Sequence, residues 1–284
     1  MRDWLRGAFV AARFVADRAD LWIPGAMVSF AAAGWIVLLA VVSAPPDEGD
    51  AVYLGVRLAT SPWWPWNAIV LVVALTAAVG ALVGAVAFGE VAILLGTTDP
   101  RHGSYIPTVP RAMRVLALAL VPIGILIAIL LWLATPLFEA AYLQPDATTP
   151  YLVRVLEAAW PAVAVLLVAI VIVQAFGAAA LRRPGSEGLG FAWHHGAHLV
   201  PQAAVTTGAF VGSQLVTAFV LAALWIPLGG RLADGHLSEL STAILLLGFV
   251  WIWLILVILA GVVQAWISAW WTSELGAETG GRGS

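Results

Sequence analysis

The chain contains neither cysteine nor lysine. The first absence excludes disulfides, thiolate metal sites and cysteine nucleophiles together. The second leaves arginine as every one of the 13 basic residues, set against 16 acidic ones. Charge is scarce altogether: 10% of the 284 residues, where a soluble domain carries about a quarter. With 62% hydrophobic residues there is too little polar side chain to clothe a water-soluble core, so the chain reads as an integral membrane protein. A net charge of −3 spread over so few groups carries no signal for nucleic acid, and no nucleic-acid partner is expected. The lysine-free, Ala-, Val-, Leu- and Arg-rich composition fits a GC-rich prokaryotic genome.

Catalytic constellations are missing as well. No G-x-S-x-G, H-E-x-x-H or P-loop occurs. Every aspartate falls outside the long apolar runs, which excludes a membrane-embedded aspartate pair. Ser213 has no histidine at membrane depth to act as its base. No enzymatic activity and no cofactor are expected.

What is present is six charge-free runs: Leu21–Val42, Trp66–Gly89, Val115–Phe138, Ala158–Leu181, Leu199–Gly230 and Leu240–Ser273. Each is long enough for a hydrocarbon layer of about 30 Å, which takes about 20 helical residues. Nothing alternates at period two, and backbone groups in lipid must be satisfied within their own segment, so the runs are expected to be helices. The expected fold is an all-α, six-span membrane bundle forming one domain over residues 1–284.

Residues 1–20 mix four arginines with three aspartates and do not read as a signal peptide. They read instead as an amphipathic helix over Asp3–Ala19 lying at the headgroup layer, with Trp4, Leu5, Ala8, Phe9, Ala12, Val15 and Ala16 on one face. The N-terminus, Asp99–Arg114, Leu181–Pro201 and the C-terminus hold 10 of the 13 arginines. By the positive-inside rule both termini are expected in the cytoplasm of a prokaryotic cell, with the chain in the plasma membrane. Trp63, Trp64 and Trp66 are then expected at the outer edge, and Trp22, Trp193, Trp266, Trp270 and Trp271 at the inner one. Small residues at Ala77, Gly80, Ala81 and Gly84 offer a face for close packing on the second span.

A weak internal period runs through the chain. Ile23-Pro24-Gly25-Ala26-Met27, Val109-Pro110-Arg111-Ala112-Met113 and Val200-Pro201-Gln202-Ala203-Ala204 each open an apolar run. Ala87-Phe88-Gly89, Ala175-Phe176-Gly177 and Ala265-Trp266-Ile267 close it, 63, 65 and 64 residues after the proline. The spacing predicts three tandem two-helix units, 1–96, 97–185 and 186–284, each with an amphipathic lead-in helix.

Polar side chains inside the runs are the candidate sites, because ionisable groups in lipid are costly. Glu90, next to Gly89, is either a proton or cation site or an interfacial carboxylate paired with an arginine of the following loop. Gln174 and Gln264 hold equivalent places in the second and third units, and Gln214 lies mid-run; they line a substrate path or fasten helices together. Arg111, Arg114, Arg182 and Arg183 stand where anionic headgroups would meet them. His194, His195 and His198 carry a metal or haem reading, weakened by the lack of nearby carboxylates beyond Glu187; no metal is expected.

The Arg18–Pro24 stretch, the Ser104–Val115 and Trp193–Pro201 lead-ins and the loop-rich topology resemble a group of prokaryotic six-helix membrane proteins of unknown function. Members of that group also occur as the membrane domain fused to glycerophosphodiester phosphodiesterases. The resemblance implies a membrane scaffold and assigns no activity. The function expected is therefore a non-enzymatic structural or accessory subunit, or a lipid-interacting bundle, with the bilayer, other membrane subunits or a second copy as partners. The alternative is a transporter permease, the membrane subunit of an ABC-type exporter.

Overall fold

The computed structural model describes residues 2–43, 53, 56–57, 59–98, 107–143, 151–183, 187–233 and 240–280. Among them the chain is helical throughout its long elements, which are α1 (Arg2–Ala16), α2 (Ala19–Val42), α3 (Trp66–Thr97), α4 (Val109–Leu143), α5 (Tyr151–Arg182), α6 (Glu187–Ala233) and α7 (Leu240–Gly280). Helices α2 to α7 each contain a stretch long and apolar enough to cross a membrane. The all-α, six-span architecture follows from the sequence as expected.

The helix ends are less simple. Helix α3 runs two turns beyond Gly89, so Glu90 sits within the helix and not at its end. The lead-in at Trp193–Pro201 is no separate helix. It is continuous with the span after it, making α6 47 residues long. Pro201 lacks an amide proton, yet the loss of one intrahelical hydrogen bond does not outweigh the turns on either side. Helices α4 and α5 likewise run on through Pro122 and Pro161. Within α2, Phe30–Gly34 winds as a π-helix, a rare geometry that recurs at functional positions.

The chain forms two compact units, Met1–Val109 with Ala209–Ser284, and Pro110–Gly208. These boundaries follow packing, and they cut across the three sequence repeats. The closing alanine of each repeat is nonetheless buried: Ala87, Ala175 and Ala265.

In the first unit, α2 crosses α7 at glycine against glycine. A Cβ on Gly25 would land on the carbonyl oxygen of Gly261, and one on Gly261 would meet the backbone of Ala26, with its Cα at 2.6 Å. Helix α3 joins this crossing through Gly89, where a Cβ would stand 2.5 Å from Val28 Cγ2 and 2.9 Å from the Pro24 carbonyl oxygen. The small-residue face expected on α3 is thus displaced. Ala77, Gly80 and Ala81 are exposed, a Cβ on Gly80 would touch nothing, and the close approach lies two to three turns further on. Small residues bring helices together only where a partner backbone is positioned to enter.

Helix α1 docks on the far end of α7. Its Ala11 and Val15 are buried with Leu21, Ala265, Ala269 and Trp270, and Ala8 and Trp266 pack at the edge. Two indoles pin it: Trp266 Nε1 donates to the Ala8 carbonyl and Trp22 Nε1 to the Val15 carbonyl, each at 2.9 Å. The Ala8–Val15 side of α1 therefore faces protein, while Phe9 and Val10 stay exposed. Trp270 and Trp271 are core residues, each 1% exposed. Trp63, Trp64, Trp66 and Trp193 are exposed. Toward the other end of the unit, Leu221, Leu228 and Phe249 form a small core with Leu38, Val41 and Trp253.

Candidate functional site

The polar groups of the first unit lie in register along α7. Its residues Trp253, Leu256, Val257 and Ala260 form one wall of a small open crevice with room for about one water molecule. Opposite stand Ser29, Phe30 and Gly34 of α2 and Gln214 and Thr217 of α6. Ser29 is the last residue before the π-helical turn, and its Oγ accepts a hydrogen bond from Gln214 Nε2 at 2.9 Å. Both residues are buried. Phe30 meets Trp253 edge to face, with centroids 6.0 Å apart.

Past Ala260 comes the Gly25–Gly261 crossing, and one turn past Ala260, about 6 Å further along α7, comes Gln264. Its Nε2 donates to Glu90 Oε1 at 2.9 Å, and Ser268 Oγ donates to Glu90 Oε2 at 2.9 Å. Gln264 and Ser268 are four residues apart, so they share one helical face. Glu90 is 7% exposed and Ser268 1%. The crossing at Gly25, Gly89 and Gly261 is what brings α3 close enough for a glutamate to reach α7.

Glutamate at this position is thus tied across the bundle to α7. Replacing it by alanine leaves Gln264 Nε2 and Ser268 Oγ without the acceptor they use. Glu90→Ala is expected to lower stability by about 1–3 kcal/mol, nearer the lower figure because hydrogen bonds in membranes average about 0.6 kcal/mol. Glu90→Gln, which keeps one acceptor oxygen, should lose less. Thermal unfolding in detergent reads both, and unfolding of Glu90→Ala at the wild-type temperature would contradict this account.

The four polar candidates do not form a single cluster. Gln214 belongs to the crevice and Gln264 to the Glu90 group, whereas Gln174 lies in the second unit, where it accepts from Thr207 Oγ1. Two participants were not singled out in the sequence. Ser268 carried a readable signal, since it stands four residues after Gln264 and at the repeat position of Glu90. Ser29 carried none, because a serine in an apolar run looks the same whether or not a glutamine 185 positions away reaches it.

Two of the arginines expected near headgroups bond to carbonyls. In the second unit Arg111 Nη2 donates to the Arg183 carbonyl at 3.2 Å, and Arg182 Nη1 to the Ala178 carbonyl at 3.4 Å. Both acceptors lie at the C-terminal end of α5, where a helix dipole favours positive charge. Arg111, Arg182 and Arg183 are half-buried, and Arg114 is exposed. In the first unit Arg18 makes a two-pronged pair with Asp20 at 2.8 and 2.7 Å, and that hydrogen bonding holds its guanidinium pKa above the ordinary value. The pair is exposed and contributes little to stability.

His194 is exposed, and its Nδ1 lies 2.7 Å from the Gly190 carbonyl one turn back, as a donor to it. The side chains of His195 and His198 lie outside the described residues. Among the described residues no three His, Cys, Asp or Glu side chains converge as a metal site would need. Set beside known protein families, curated proteins and solved structures, the chain matches none of them.

Proposed function

We propose that this chain is a non-enzymatic multi-pass protein of a prokaryotic plasma membrane, with both termini in the cytoplasm, serving as a structural or accessory subunit or as a lipid-interacting bundle. The observation that carries this reading is the closure of α2, α3 and α7 around glycine-to-backbone contacts, with α1 docked on α7. Within it Gln264 and Ser268 hydrogen-bond to Glu90. Such a block is suited to holding a shape in lipid. The likeness to six-helix proteins that also occur joined to glycerophosphodiester phosphodiesterases points the same way. The partners proposed are the bilayer and other membrane subunits or a second copy of the chain.

One specific observation favours the second reading, a permease of an ABC-type exporter. The crevice at Ser29 and Gln214 and the Glu90 group follow one another along α7, and a transport route needs polar groups between helices. Mild detergent extraction followed by identification of what stays bound separates the two. Membrane subunits or retained lipid are expected under the first reading, and a co-purifying ATPase would replace it with the second. A tag on the C-terminus should be unreachable from outside intact cells; labelling there would overturn the orientation.

A further inference from the structure

We propose that the crevice beside the π-helical turn of α2 binds one water molecule, shared by Ser29, Gln214 and Thr217, in the middle of the apolar spans. Such a site goes beyond the scaffold and permease readings and stands under either. All its walls lie deep in the charge-free runs. Ser29 is the ninth residue of the run 21–42, Gln214 the sixteenth of 199–230, and residues 253–260 fall in the middle of 240–273. Hydrocarbon at that depth offers no hydrogen bonds, so a polar group there must find its partner within the protein or in a water that the protein holds.

The donors and acceptors of the crevice do not balance on their own. A glutamine amide has two N–H donors and a carbonyl oxygen, and a hydroxyl both donates and accepts. Gln214 Nε2 gives one hydrogen to Ser29 Oγ, and among the described residues neither side chain makes another hydrogen bond. Gln214 Oε1 is left as an acceptor and the Ser29 O–H as a donor, on residues 8% and 1% exposed. Thr217 Oγ1 donates to the Ser213 carbonyl at 2.9 Å and keeps its lone pairs. One water answers all three groups: it donates to Gln214 Oε1 and to Thr217 Oγ1, and accepts from the Ser29 hydroxyl. Only the second amide hydrogen of Gln214 stays outside this count.

The space agrees with that stoichiometry. The crevice takes about one water, and a buried water makes about three hydrogen bonds. The backbone is suited to it as well. At the turn that follows Ser29, the Trp35 N–H reaches the Phe30 carbonyl, five residues back instead of four. An interruption of this kind in the helical ladder is where water enters helices. A lipid methylene in the same space would leave the amide oxygen and the hydroxyl unmet, which is the costlier filling.

The test is proton-detected solid-state NMR of the full, isotope-labelled chain in phosphatidylcholine vesicles, following magnetisation from water and from lipid methylenes to the Gln214 side-chain amide. With five glutamines in the chain, that amide can be assigned through its own side-chain carbons. Wild type should show transfer from water at short mixing times. Thr217→Val, which keeps the shape and removes the hydroxyl, should cut this transfer severalfold. Transfer from lipid methylenes alone, or water transfer undiminished in folded Thr217→Val, would overturn the proposal. Should Thr217→Val fail to fold, the wild-type spectrum decides: water transfer to Gln214 supports the site, and its absence refutes it.

Discussion

Gly261→Ala should leave little folded protein, although it adds a single methyl group to a helix in which alanine is the better helix former. The methyl would fall on the backbone of Ala26 and 2.7 Å from the Trp22 carbonyl oxygen. Neither of those atoms belongs to a flexible side chain that can step aside. Helix α2 would have to withdraw from α7 as a body, loosening the Gly89 contact with α3 and the hydrogen bonds from α7 to Glu90 at the same time. Overpacking of a well-filled site costs about 1–3 kcal/mol, and a clash of backbone against backbone belongs at or above the top of that range. Gly248→Ala is the internal control. It lies on the same helix with open space around its Cβ position, so it should be neutral or stabilise by up to about 1 kcal/mol. Thermal unfolding of both variants in the same detergent decides the matter. Equal transitions for the two would mean that the α2–α7 crossing is looser than described.

Trp270→Ala is expected to have the next largest effect and to show it at the opposite end of the chain. Trp270 is 1% exposed, stacks on Trp266 with centroids 5.4 Å apart, and is buried with Ala11 and Val15 of α1. Truncating a buried tryptophan costs about 3–5 kcal/mol through lost contacts and the cavity left behind. Little else on α1 can compensate, because its buried side chains are small. The expected outcome is release of α1 from α7, and limited trypsin digestion reports it directly. With no lysine in the chain, trypsin can cut only after arginine, and Arg6, Arg13 and Arg18 flank the docked face. Faster cleavage at these sites is expected in Trp270→Ala than in wild type. Unchanged cleavage would mean that the two backbone-accepting indole bonds, from Trp22 and Trp266, hold α1 without this ring.

Glu90 illustrates how far the chain could be read in advance. Its place directly after the charge-free run Trp66–Gly89 marked it as a candidate, since one carboxylate beside uncharged residues is visible in one dimension. Its partners were not visible. Gln264 and Ser268 lie 174 and 178 positions away, and many other polar residues in apolar runs would have served equally well on paper. The tryptophans show the same limit from the other side. Indole composition near a span end looks alike for a ring in the headgroup layer and for one buried beneath a docked helix. Trp193 is exposed, whereas Trp270 is buried.

The sequence by itself determined that the chain is helical and where its six apolar spans lie. Those properties depend on the local cost of putting charge or open backbone into lipid, and each residue contributes to that cost on its own. Only the tertiary structure decided which small residues carry the packing, with Gly25, Gly89 and Gly261 chosen and Gly80 left exposed. It alone placed Ser29 with Gln214 and Glu90 with Ser268. Close packing and hydrogen bonding are properties of pairs, and in a chain so rich in glycine and alanine no spacing along one helix reveals which partner the other helix will bring.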